Sequence, residues 1–128
     1  MEVYEINRLV GEKVLQWEWR ESLDSWVSKI GEGHVYVVAD HTFSPATKVQ
    51  DAWVVVNKLN EMGFRTLIKT CGKHTKGVIE GTAQEGDWLV NTMNENLDFK
   101  VTYPVYAKSA PLAICLSALK AVGCELSA

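Results

Sequence analysis

The chain has 128 residues, which fits one domain at the usual size of about 100 to 200 residues, and residues 1–128 are read as a single unit. With 47% hydrophobic and 23% charged residues it carries enough apolar surface to offset chain entropy, which excludes a disordered chain. Net charge is −3, from 13 Lys and Arg against 16 Asp and Glu, and no basic run is present to track a nucleic-acid duplex.

In chain order, the first five residues include Glu2 and Glu5, where a secretory signal would be basic and then apolar, so the protein is expected to stay in the cytosol. Apolar residues at Ile6, Leu9, Val10, Val14 and Trp17 predict a helix over residues 5–16 with one buried stripe. Residues 23–29 and 34–39 are rich in Trp, Val, Ile and Tyr, and they flank Gly31, Glu32 and Gly33, which predicts a hairpin closed by a glycine turn.

Phe43, Ser44 and Pro45 predict the start of a second helix, with Ser44 as cap and Pro45 at the first helical position. Val49, Ala52, Trp53, Val56, Leu59 and Met62 form its expected core stripe, with Trp53 in the core and Gly63 as the stop. Val54 and Val55 fall off that stripe, so either both sides of the helix are covered or the outer side meets another protomer. Strands are expected at residues 64–70, 77–82, 88–93 and 99–106, joined by short links that favour antiparallel neighbours. Ser109, Ala110 and Pro111 open a last helix that reaches Val122 and stops at Gly123. The order is αββαββββα, an α+β fold with a mainly antiparallel sheet of about six strands covered by three helices. The longest apolar stretch without charge, residues 109–119, falls short of the roughly 20 residues of a membrane span.

Catalytic signatures are absent from the sequence. His34, His41 and His74 belong to no motif, and neither a G-x-S-x-G elbow nor a phosphate-binding P-loop occurs, so no catalytic residue is assigned. Cys71 and His74 have C-x-x-H spacing but lack a matching half-site for a tetrahedral metal, so neither metal nor cofactor is expected. Cys71, Cys115 and Cys124 are odd in number and contain no C-x-x-C pair, which argues against a disulfide framework and for a reducing compartment.

Anion binding is the stronger candidate. Lys108 and Ser109 place a cation and a hydroxyl at a helix start, where free N–H groups and the helix dipole favour phosphate or carboxylate. A helix capped for stability alone would look the same. Lys69, Lys73, His74 and Lys76 form a second basic patch around a glycine-flanked turn, for which a solvated hairpin tip is the alternative. Asn91, Asn94 and Asn96 near Tyr103 and Tyr106 combine edge hydrogen bonding with stacking faces, as a nucleobase requires, although asparagine is also an ordinary turn residue. Trp17, Trp19, Trp26 and Trp88 are assigned to packing or to an interface.

Three segments carry a family resemblance. They are Ile6, Asn7, Val10, Glu12, Lys13, Val14 and Trp17; then Phe43 to Thr47 leading to Ala52, Trp53 and Val56; and then Ala110 to Cys115 with Ala118 to Gly123. Together they resemble the phage ABA sandwich domain family, and residues 64–106 carry less of the likeness. The family looks related to the small Thoeris anti-defence proteins, sponges that bind cyclic ADP-ribose isomers, and in some cases cyclic oligonucleotides, without cleaving them. The resemblance implies a cytoplasmic protein of the infected bacterial host, a homo-oligomer of two or more copies with a nucleotide-derived signal bound between protomers. The three arginines, Arg8, Arg20 and Arg65, do not match the sponges' contact arginines. The expected ligand-binding set is Lys108, Ser109, Lys69, Arg65, Asn91, Asn94, Tyr103 and Tyr106. A protein-interaction module is the alternative, supported by the outward valines and surplus tryptophans, and a small phosphodiesterase would require the histidines to converge.

Overall fold

The computed structural model describes residues 1–30 and 34–124. The glycine turn expected at Gly31, Glu32 and Gly33 lies outside the described residues.

Helix α1, Val3–Leu9, runs into a π turn, Val10–Val14, in which Leu15 N–H donates to Val10 O at 3.0 Å and Trp17 N–H to Gly11 O at 2.8 Å. The wide turn places Val10, Val14 and Leu15 together in the core. Strand β1, Glu18–Arg20, then pairs antiparallel with β2, Ser25–Ile30, which pairs antiparallel with β3, His34–Asp40. β1 was not expected, because three residues are too few to show a period of two. On β3, Val38 is a bulge: Trp26 faces Ala39 while Val27 faces Val37.

Helix α2, Val49–Glu61, starts several residues later than the Ser44 cap predicts. The Ser44 hydroxyl is engaged elsewhere. It accepts from Asn7 Nδ2 at 2.9 Å and bonds the Thr47 hydroxyl, while Ala46 N–H donates to Asn7 Oδ1 at 2.9 Å, so α1 holds this segment as a separate turn. Ala52, Val55, Val56 and Leu59 are the buried face of α2, a rotation from the expected stripe that buries Val55 and leaves Trp53 49% exposed. Trp53 is therefore a surface residue and not part of the core.

Gly63, at φ +93°, turns the chain into β4, Phe64–Thr70. Residues 76–80 then form a short helix, α3 (Lys76–Glu80), where a strand over 77–82 was expected. The β-branched pair Val78 and Ile79 suggested a strand, but Thr82 and Ala83 N–H both donate to Gly77 O, which folds the segment back on itself. β5, Trp88–Asn94, and β6, Thr102–Ala107, complete a second sheet in the antiparallel order β4-β5-β6. Phe99 lies ahead of β6, not in it, since Asp98 and Phe99 both adopt positive φ in the connecting turn. Helix α4, Ala110–Ala121, begins on the Ser109 cap and ends before Gly123, as its sequence predicts.

The fold is α+β: among the described residues, six strands divide into two antiparallel sheets of three, accompanied by four α-helices. α2 and α4 cover one face of the second sheet, with the π turn packed against both helices, and Ile114, Leu119, Leu59 and Val90 lie in the core. α3 covers part of the other face: a Cβ on buried Gly77 would overlap the Tyr106 ring, so only glycine lets the helix approach this closely. The first sheet docks through aromatic side chains, with Trp26 of β2 against Trp17 and Trp17 in turn against Phe43 at 5.1 Å, while Trp19 packs on Trp26 across β1 and β2. Among the described residues, no helix is long and apolar enough to cross a membrane.

Candidate functional site

β6 ends at Ala107 and α4 begins at Ala110, so Lys108 and Ser109 form the whole link between strand and helix. This tight joint fixes Lys108 over a cavity of about 450 Å³ lined by Tyr106, Leu112, Leu116, Thr82, Gln84 and Asp87. The Lys108 ammonium donates to Asp87 Oδ1 at 2.8 Å and to Gln84 Oε1 at 2.9 Å. Asp87 Oδ2 accepts the Gln84 N–H at 2.8 Å. The Lys108 ammonium and the Gln84 N–H hold the Asp87 carboxyl below the usual carboxylate range, so it is ionised at neutral pH. An ammonium has three protons, and with two of them placed the third is left for an incoming acceptor. The ion pair also cancels much of the local field, so what the cavity presents is one directed donor, the Tyr106 ring and apolar walls more than net charge.

The expected contact residues fall into three groups. Lys108 and Tyr106 share the cavity. Ser109 adjoins it, but its hydroxyl accepts the Leu112 N–H at 3.3 Å and caps α4. Lys69, Asn91 and Arg65 lie with Tyr106 on the face of the second sheet opposite the core, as the pairings Lys69–Leu89–Tyr106 and Leu67–Asn91–Pro104 show. On that face Arg65 pairs with Glu95 at 2.7 Å, and Asn91 Oδ1 accepts the Tyr103 N–H at 3.0 Å. Tyr103 points the other way and packs against the core, while Asn94 Oδ1 accepts the Asn96 N–H in the turn after β5.

Gln84 and Asp87, in the link ahead of β5, are not among the residues the sequence singles out. Asp87 lies 21 positions from its partner Lys108, and no local spacing rule joins them. A larger cleft of about 620 Å³ between β3 and α2 contains Trp17, Phe43, Asp40, Thr42, Lys48 and Asp51. Several of its polar groups are engaged within the chain: Lys48 Nζ donates to Thr42 O at 2.8 Å, Asp40 accepts from Thr42 N–H at 2.8 Å, and Asp51 accepts from Ser44 N–H at 2.9 Å.

The histidines are dispersed. His34 opens β3, His41 follows it and His74 precedes α3. His41 Nδ1 meets Asp24 at 3.1 Å with both side chains mostly exposed, and among the described residues no hydroxyl or thiol hydrogen-bonds to it. Burial pushes the Cys115 thiol up to about 12, far from the range of a nucleophilic thiolate.

A helix layer on one face of the second sheet, a short helix on its far face and a docked aromatic-rich sheet define an α+β sandwich. The model of the phage ABA sandwich domain matches residues 8–119, and the chain belongs to that family. The chain is also similar to the crystal structure of a phage protein from Bacillus cereus ATCC 14579, with 24% identity, a TM-score of 0.61, and coverage of 99% of this chain and 93% of that one. Among curated proteins none matches.

Proposed function

We propose that the protein is a phage or prophage immune-evasion protein that binds a nucleotide-derived immune signal and holds it without cleaving it. The ligand class is a cyclic ADP-ribose isomer, with cyclic oligonucleotides as the wider group, and the protein acts as a homo-oligomer in the cytoplasm of the infected host. The observation that carries this reading is the cavity where the Lys108 ammonium, held by Asp87 and Gln84, faces Tyr106 and the apolar wall of Leu112 and Leu116. It offers a phosphate oxygen one charge-assisted donor, a base or ribose an aromatic and apolar wall, and hydroxyls an ionised acceptor. The dispersed histidines and the buried Cys115 thiol support holding over cleavage.

A protein-interaction module is the second reading, favoured by Trp53 and Val49, each about half exposed on α2. One experiment separates the two. The protein is incubated with extract from cells with an activated TIR-domain immune enzyme and from control cells, washed, denatured by heat, and the released small molecules are identified by mass spectrometry. An intact nucleotide recovered only from activated extract supports sequestration. Nothing recovered from either extract turns the reading to the interaction module.

A further inference from the structure

The four sheet edges are protected unequally. β1 has three residues, two of them charged, Glu18 and Arg20; β4 carries Arg65 and Lys69; β6 carries Pro104, which has no N–H to offer. β3 has none of these devices between its end residues: it reads Val35, Tyr36, Val37, Val38, Ala39, with Val35 43%, Tyr36 46% and Val37 57% exposed. Among the described residues it pairs with β2 alone. The bulge at Val38 adds twist to this edge but no charge.

We infer that the occupant of this edge is β3 of a second copy of this chain, paired antiparallel about a two-fold axis at Val37. That register pairs all seven residues of the strand. Centring on Val37 sets Tyr36 opposite Val38 and Val35 opposite Ala39, and brings His34 of each copy opposite Asp40 of the other, an imidazole N–H donor facing a carboxylate acceptor at both ends. The two sheets then join as one of six strands. This inference is independent of the ligand reading above.

The register is tested with Val37→Cys and Val35→Cys, each oxidised with copper phenanthroline and run on a non-reducing gel. Directly opposed residues sit about 4.5 to 5.5 Å apart at Cα, within disulfide range. Val37→Cys is therefore expected to cross-link into dimers. The two Val35 positions would be offset by four residues, roughly 13 Å, and Val35→Cys is expected not to cross-link. Light scattering of the unmodified protein is expected to give twice the 14.3 kDa of one chain at micromolar concentration. Val37→Lys, which opposes two like charges, is expected to give the single-chain mass, with Val49→Lys on α2 remaining dimeric. A single-chain mass for the unmodified protein, equal cross-linking of both cysteine variants, or loss of the dimer in Val49→Lys but not in Val37→Lys would overturn the inference.

Discussion

Ser117 of α4 and Thr92 of β5 meet in the core with no exposed surface on either residue, their hydroxyl oxygens 2.7 Å apart. Ser117 Oγ also accepts the Thr92 N–H at 3.1 Å and donates to Tyr103 O on β6 at 2.6 Å, so one helix hydroxyl bridges two paired strands. With its single proton directed to Tyr103, Ser117 receives both Thr92 donors. The bridge sets the rotation of α4, and with it the position of Lys108 at the start of the same helix.

Ser117→Ala is therefore expected to destabilise the fold by about 1 to 3 kcal/mol, the cost of leaving buried groups without a partner. Urea unfolding checks this. A midpoint equal to that of the unmodified protein would show that the bridge contributes nothing.

Gly11 in the π turn faces the Trp26 ring so closely that an added Cβ would stand 2.5 Å from Cη2. Trp26 is 5% exposed and anchors the first sheet, so the ring has little room to withdraw. Gly11→Ala is expected to cost about 1 to 3 kcal/mol by overpacking, with loss of near-ultraviolet tryptophan dichroism.

The lowered Asp87 pKa gives a signed dependence on pH. A carboxylate that ionises more readily when folded adds stability above its unfolded pKa of about 3.9, and that stability is lost as pH falls through the folded value. At pH 7 the protein should withstand more urea than Asp87→Asn, and at pH 3 the gap should narrow. A gap that does not change with pH would place the stabilisation in packing instead of charge.

Thiol reactivity follows burial. Cys71 and Cys115 are buried, Cys115 with its pKa pushed up to about 12, whereas Cys124 is half-buried. Brief alkylation of the native protein at neutral pH should modify Cys124 first, as peptide mass mapping would show.

Much of the fold was legible because its signals are local. Ser109 caps α4 and Gly63 and Gly123 close helices, and each feature depends on residues within one turn. Expectations failed where distant partners decide. Asn7 captures Ser44 across 37 positions and delays α2, and Gly77, in the segment expected as a strand, seats α3 against the distant Tyr106 ring. Division into two sheets was equally invisible, since hairpin patterns record which strands are neighbours but not where a sheet ends. At the candidate site Lys108 and Tyr106 were found from the helix start and an aromatic strand. Asp87 was missed because only the folded chain brings it to the ammonium.

Sequestration is most directly tested by titrating a purified cyclic ADP-ribose isomer with the protein, with Lys108→Gln and with Lys73→Gln, following free ligand and then ligand released by denaturation. Lys108→Gln is preferred to a reversed charge, which would face Asp87 across the 2.8 Å now spanned by the ion pair. Sequestration predicts stoichiometric depletion and chemically unchanged recovery. Affinity should be about tenfold weaker for Lys108→Gln, the loss of one charge-assisted hydrogen bond of roughly 1.5 to 3 kcal/mol, and nearly unchanged for exposed Lys73→Gln. Turnover of the ligand at substoichiometric protein, or equal binding by all three proteins, would contradict it.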